Sequence, residues 1–173
     1  NDFLNFAKTI PSREEPAGKT TVSGLQTLPI VFEQNKKISK DLRNIIEKSI
    51  KDYQKYFEDS KDYFVSRWPS RSSLKGWIVY LRSQGFQTSH NHLSGWMSGV
   101  LYLNIPKMKD SGNEGAIKFS LHGYDYPKSK NNIPEKIIMP VTGSIVLFPS
   151  SLYHSTIPFD SNENRISLAF DLM

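Results

Sequence analysis

Two histidines two residues apart, His90 and His92, stand at the start of an apolar run, and a third, His154, follows another apolar run far downstream. Side chains at i and i+2 of an extended segment point the same way. His90 and His92 can therefore reach one ion while Asn91 faces elsewhere. His154, beyond the turn at Pro149, Ser150 and Ser151, is placed to add a nitrogen from a distant strand. Three protein ligands leave about three open positions on an octahedral ion, which suits oxygen and co-substrate chemistry at Fe(II). Taken alone, an H-x-H pair also fits surface histidines or core hydrogen-bonders. A single strand-end histidine is more often satisfied by its neighbours than a ligand. The fourth histidine, His122 beside Gly123, reads as an exposed or substrate-facing loop residue.

Arg165 changes the balance. Over residues 165–172, Ile166, Leu168, Phe170 and Leu172 share one strand face, and Arg165, Ser167, Ala169 and Asp171 share the other. An arginine and a serine two apart and pointing inward form a carboxylate receptor, a guanidinium fork plus a hydroxyl donor. The competing reading is a strand-edge arginine in a surface ion pair, which the upstream His154 disfavours. Together the residues describe a non-haem iron site that chelates a keto acid.

The elements that must carry these residues follow from periodicity. Residues 76–82 alternate, with Trp77, Val79 and Leu81 on one face and Ile78 and Tyr80 on the other; residues 83–85 break the strand. Further strands are expected over 99–105, 116–121, 135–139, 144–148 and 165–172, separated by polar loops at 107–115 and 122–132. Upstream, Ser39 is placed to cap a helix whose apolar stripe is Leu42, Ile45, Ile46, Ile50, Tyr53 and Phe57. Phe3, Leu4 and Phe6 suit a short helix, residues 11–18 a loop, and residues 25–32 an edge strand with Pro29 at an unpaired position. Short strands with turn signals between them, and helices placed first, give a mainly β fold with flanking helices, a sandwich or barrel.

The chain has 173 residues, enough for one domain and short for two. The expected division is an N-terminal extension or edge over 1–38, a supporting helix over 39–60 and a β core over 74–173. Cysteine is absent, which excludes disulfides and thiolate metal sites and fits a reducing, cytoplasmic setting. The net charge of +5 is mild, and its carriers crowd the helix beside Asp41, Glu47 and Asp52. That pattern is a solvated helix face, so no nucleic-acid partner is expected. No apolar run approaches the ~20 residues of a membrane span, and the first residues lack the form of a signal peptide.

These blocks resemble the iron- and 2-oxoglutarate-dependent oxygenases, in which an H-x-D/E pair, a distal histidine and a later basic residue line a double-stranded β-helix. More narrowly, His90-Asn91-His92 followed by Ser94-Gly95-Trp96-Met97-Ser98-Gly99-Val100-Leu101-Tyr102 is similar to a bacterial group of such oxygenases. Residues 147–159 and 165–171 match that group's later blocks, and the resemblance covers roughly residues 24–172. Some members carry helical tetratricopeptide arrays upstream.

The resemblance implies a jelly-roll, cupin-like barrel. It makes His90 and His154 iron histidines and gives Arg165 the distal carboxylate of 2-oxoglutarate. Tyr80 and Tyr102 would donate phenolic hydrogen bonds to that co-substrate, with Ser167 helping. It implies Fe(II), 2-oxoglutarate and O2, with succinate and CO2 formed as a small-molecule or peptide substrate is hydroxylated. One departure stands out: His92 occupies the position of the usual carboxylate, leaving the site one charge more positive. Either His92 is the third ligand or water replaces it; a site of His90, His92 and His154 is the expectation, and Asp125 is an outside candidate for the missing carboxylate. Two other classes remain, a three-histidine cupin dioxygenase that does not use 2-oxoglutarate and a non-catalytic jelly-roll binding module.

Overall fold

The computed structural model describes residues 2–108, 112–123, 126–127 and 133–173. Three helices, α1 (Asp2–Lys8), α2 (Lys37–Tyr56) and α3 (Tyr63–Ser66), accompany nine strands among these residues. The strands are β1 (Ser12–Glu14), β2 (Thr21–Thr27), β3 (Leu74–Gln87), β4 (Met97–Asn104), β5 (Ile117–Ser120), β6 (Glu135–Ile138), β7 (Ile145–Pro149), β8 (Tyr153–Thr156) and β9 (Arg165–Leu172). They form a six-stranded sheet of order β1-β2-β3-β9-β4-β7 and a three-stranded sheet of order β6-β5-β8. Every pairing between them is antiparallel. The fold is a mainly β jelly roll with helices on one side.

Strand β9 explains the layering, because it is buried along its whole length. Its even-numbered residues Ile166, Leu168, Phe170 and Leu172 pack with Ile78 and Tyr80 of β3, Met97 and Leu101 of β4, and Leu42, Ile46 and Ile50 of α2. Each of the three α2 side chains contributes about 1.5–3 kcal/mol when removed from water. The opposite face looks into the gap between the sheets. There Val79 and Leu81 pack with Ala169 and Phe159. Val100, Val146 and Phe148 of the large sheet meet Ile117 and Phe119 of the small one. Arg165, Ser167 and Asp171 therefore lie between two sheets with no bulk water around them.

The helix begins at Lys37, without a side-chain cap. Ser39, expected as the cap, instead donates its hydroxyl to Val31 O at 2.6 Å and ties α2 to the turn before it. The helix spends its cations on its own acids, in the i,i+4 pairs Lys37–Asp41, Arg43–Glu47 and Lys48–Asp52.

The N-terminal third departs from expectation. Residues 11–18 contain β1, and the strand expected at 25–32 lies at β2, followed by a 3-10 turn over Val31–Glu33. Proline at 29 falls after β2, where its missing N–H removes no ladder bond. Residues 83–85 do not end β3, which runs on to Gln87 to pair with β2. The strain appears instead as a left-handed φ of 61° at Gln84 and a register shift between Val22 and Gly24. The polar loops expected at 107–115 and 122–132 fall partly outside the described residues, and Asp125 lies outside them. No helix among the described residues is long and apolar enough to cross a membrane.

Candidate metal centre

His90 and His154 are locked face to face by their own backbones. His90 N donates to His154 O at 3.0 Å and His154 N to His90 O at 2.8 Å, an isolated antiparallel bridge. His92 N donates to Ser150 O at 2.9 Å, so the loop after β3 is laced to the segment that leads into β8. The ring centroids lie 4.3 Å apart for His90–His154, 5.2 Å for His90–His92 and 5.0 Å for His92–His154. One nitrogen from each ring lies within 4.8 Å of the others. No other group of three such side chains forms among the described residues.

Two of the rings have their tautomer fixed by carbonyls. His90 Nδ1 donates to Thr88 O at 2.7 Å and His154 Nδ1 to Leu152 O at 3.1 Å. A carbonyl only accepts, so the proton sits on Nδ1 and the lone pair on Nε2. Burial pushes the His90 pKa down to about 4, and burial reinforced by the neighbouring His90 takes His154 to about 3. Both rings are therefore neutral at neutral pH, the form a metal needs.

The third ring sits in a polar network. His92 Nδ1 lies 2.6 Å from Asp171 Oδ1 and 3.1 Å from Ser98 Oγ. Ser98 Oγ donates to Asp171 Oδ1 at 2.6 Å and lies 2.7 Å from Ser150 Oγ. Gly95 allows the close approach here, since a Cβ on it would collide with Ser150 Oγ.

At the other end of the same inter-sheet face, Arg165 is 2% exposed. Its Nε donates to Gly115 O at 3.2 Å, and its guanidinium stands 5.0 Å from the centre of the Tyr102 ring. No carboxylate among the described residues pairs with it. Burial lowers its pKa and Tyr102 beside it opposes the shift, yet a guanidinium starts so high that it stays cationic. The Tyr102 hydroxyl is buried beside the Arg165 guanidinium and meets no acceptor for its proton among the described residues. Burial raises its pKa and Arg165 holds it back. Ser167 is in register with Tyr102 on β4 and Val79 on β3, on the same inward face.

Tyr80 requires a correction. It pairs with Ile166, whose side chain faces α2, and the β3–β9 register runs without a shift from Leu74 to Leu81. Its ring packs in the helix-side core with Ile78 and Leu168, away from Arg165 and the histidines. Parity along β3 decides this, since the inward positions are Trp77, Val79 and Leu81. Its hydroxyl is buried without a partner among the described residues and burial raises its pKa to about 12. Trp96 and Met97 likewise face the helices; Trp96 Nε1 donates to Phe64 O at 3.2 Å and its ring stacks on Phe64. Phe148 does wall the site, its ring centroid 4.7 Å from that of His154. His122 stands apart from the cluster, its Nε2 donating to Tyr126 O at 2.8 Å.

Asp171, Ser98 and Ser150 carry no role in the sequence reading. The signal for Asp171 was its place on the inward face with Arg165 and Ser167; its partners His92 and Ser98, and Ser150 behind Ser98, come from other segments and leave no trace in any one of them.

The donor sets fit definite guests. Three imidazoles, two of them neutral with free Nε2 atoms, suit a divalent transition ion. A buried phenol that meets no acceptor among the described residues, beside a buried guanidinium, suits a carboxylate.

The family described as "Putative 2OG-Fe(II) oxygenase" matches residues 75–171, more than half of the chain. Similar solved structures include a prolyl hydroxylase from Trichoplax adhaerens in complex with a hypoxia inducible factor peptide fragment. It shows 15% identity and a TM-score of 0.61 over 99% of this chain and 74% of that one. HygX from Streptomyces hygroscopicus, with nickel and 2-oxoglutarate bound, shows 10% identity and a TM-score of 0.59 over 99% and 76%. A 2OG-Fe(II) oxygenase family oxidoreductase from Burkholderia pseudomallei shows 14% identity and a TM-score of 0.54 over 99% and 75%. No curated protein matches the chain significantly in sequence.

Proposed function

The chain belongs to this 2OG-Fe(II) oxygenase family, and from that premise we propose that His90, His92 and His154 hold its iron while Arg165 receives the distal carboxylate of its 2-oxoglutarate. It is an iron(II)- and 2-oxoglutarate-dependent oxygenase. The reaction we assign is hydroxylation of a C–H bond in a small molecule or peptide. One atom of O2 enters that bond and the other enters succinate as CO2 leaves. The observation that carries the assignment of residues is the convergence of the three imidazoles within 4.8 Å, on the inter-sheet face that also bears Arg165.

Iron, when bound, supplies the activation of O2 coupled to oxidative decarboxylation of the keto acid. The chain supplies position and dryness. The Thr88 and Leu152 carbonyls hold protons on the Nδ1 atoms of His90 and His154 and so present their Nε2 lone pairs. Arg165 offers a fork of N–H donors to a carboxylate, and the Tyr102 hydroxyl offers one more. Ser167 lies on the same face to complete the receptor. Phe148, Phe119 and Val100 close the gap between the sheets against water. Fixing the keto acid at both ends removes orientational freedom before reaction.

We also place all of residues 1–173 in one catalytic unit, since α1 and α2 share a core with β3, β4 and β9. We assign it to the cytoplasm, where Fe(II) and 2-oxoglutarate are available together.

The test is an anaerobic titration of the Fe(II)-loaded protein with 2-oxoglutarate. The expected result is a weak visible charge-transfer band that is lost in Arg165→Ala, and substrate-stimulated release of succinate. An unchanged spectrum together with no succinate would remove the assignment of these residues.

A further inference from the structure

We infer that Asp171 is a positioning residue for the metal, acting through His92 and supplying from outside the coordination sphere the negative charge that three neutral ligands lack. The inference rests on the reading of His92 as a ligand.

Proton accounting gives the orientation. Each serine hydroxyl has one proton. Ser98 spends its proton on Asp171 Oδ1 at 2.6 Å, so the 2.7 Å contact with Ser150 is a bond that Ser98 accepts. The Asp171 carboxylate has only lone pairs, and His92 Nδ1 stands 2.6 Å from the same Oδ1. Two lone pairs would repel at that distance, so His92 Nδ1 carries the proton and donates it. The chain runs one way, from Ser150 to Ser98 to Asp171, with His92 donating to the same oxygen. In the neutral ring, the form that ligates a metal, Nε2 of His92 is then the atom with the lone pair, as in His90 and His154.

Charge gives the reason. Asp171 is the one buried acid among the described residues, and Arg165 the one buried cation. They do not pair with each other: Asp171 faces the histidine cluster and Arg165 faces Tyr102. A dication held by three neutral imidazoles leaves an uncompensated charge in a low-dielectric gap. A carboxylate hydrogen-bonded to the far nitrogen of a ligand raises that ligand's basicity and offsets part of the charge. Gly95 is required for the same arrangement, since a side chain there would displace Ser150.

The experiment is a double-mutant cycle on metal affinity, read by anaerobic equilibrium titration of Fe(II) into the full chain. Asp171→Asn is expected to weaken binding about ten- to a hundredfold. In the His92→Ala background, where there is no ring to orient, Asp171→Asn is expected to change affinity by less than about threefold. Equal losses in both backgrounds would mark Asp171 as merely structural and overturn the inference. So would a wild-type affinity in Asp171→Asn.

His154→Ala separates the two levels. If it binds metal as tightly as wild type, the three-histidine site itself is wrong; if it loses the metal while Asp171→Asn keeps it, only the role of Asp171 falls. A measurement on the unmutated protein guards against misfolding of the variants. In the Zn(II)-loaded wild type, long-range proton–nitrogen correlation spectra should show the His92 proton on Nδ1. A proton on Nε2 would overturn the inference.

Discussion

Arg165 and Asp171 stand on the same inward face of β9, at its two ends, and neither neutralises the other. At ~3.4 Å per residue they are about 20 Å apart along the strand. One end of the face is a buried cation without a partner acid among the described residues, the other a buried anion bound to a histidine. A buried unpaired guanidinium is costly to the fold until an anion arrives. Arg165→Met should therefore raise the melting temperature of the protein without co-substrate, by the equivalent of about 1–3 kcal/mol. The same variant should lose the upward shift that 2-oxoglutarate gives the wild type. Thermal melts with and without 2-oxoglutarate check both signs; a variant still stabilised by 2-oxoglutarate would place the carboxylate receptor elsewhere.

The two buried tyrosines should separate cleanly. Tyr102→Phe removes a hydroxyl beside Arg165 and should raise KM for 2-oxoglutarate about fivefold, the worth of roughly 1 kcal/mol of hydrogen bonding. Tyr80→Phe should leave that KM unchanged and stability equal or slightly higher, because it removes a buried polar atom that has no partner among the described residues.

Tyr80 also predicts a response to alkali. Burial raises its pKa from the ordinary value near 10 to about 12. The neutral phenol is thus favoured by folding: its contribution is whole below about pH 10 and is lost as pH rises through about 12. Ultraviolet titration of the folded protein should show a late tyrosine ionisation that vanishes in Tyr80→Phe.

That residue also shows where the sequence can mislead. Strict alternation along 76–82 already separated Tyr80 from Trp77, Val79 and Leu81, and alternation along 165–172 already put Arg165 inward. Since inward residues of paired strands share a face, Tyr80 belonged with Ile166 and the helix side. The role that the family resemblance implies for Tyr80 runs against that parity. The convergence of the histidine rings was legible in part, because i and i+2 on an extended segment suffices to aim two rings the same way. The Asp171–Ser98–Ser150 network was not, because it depends on the register of β4 against both β9 and β7. Strand β1 and the first half of β2 were hidden for another reason. Short, Ser/Thr/Gly-containing segments acquire strand geometry by pairing, β2 with the long β3 and β1 with β2, a tertiary cause that local propensity does not record.

The helix-side core should be energetically separate from the site. Leu42 is fully buried against β9's even face, and Leu42→Ala should cost about 2–5 kcal/mol. Urea unfolding measures that loss. Fe(II) affinity of the folded fraction should stay within about twofold of wild type, since additivity holds for sites that share no partners. A large fall in affinity would mean that α2 helps set the inward face.

Metal should stabilise the protein through the three clustered imidazoles and not through the fourth histidine. At a free ion concentration of 100 Kd, binding to the folded state adds about 2.7 kcal/mol. Thermal melts with Mn(II), an oxygen-stable stand-in, should show a rise that a chelator reverses and that His154→Ala abolishes. His122→Ala should leave the rise intact, because that ring binds Tyr126 O far from the cluster. The contrast matters because any surface histidine can bind a transition ion weakly. Only a site assembled by the backbone bridge between His90 and His154 should respond to one histidine and ignore another. Equal effects of the two substitutions would point to adventitious binding and remove the support that the geometry gives to the iron site.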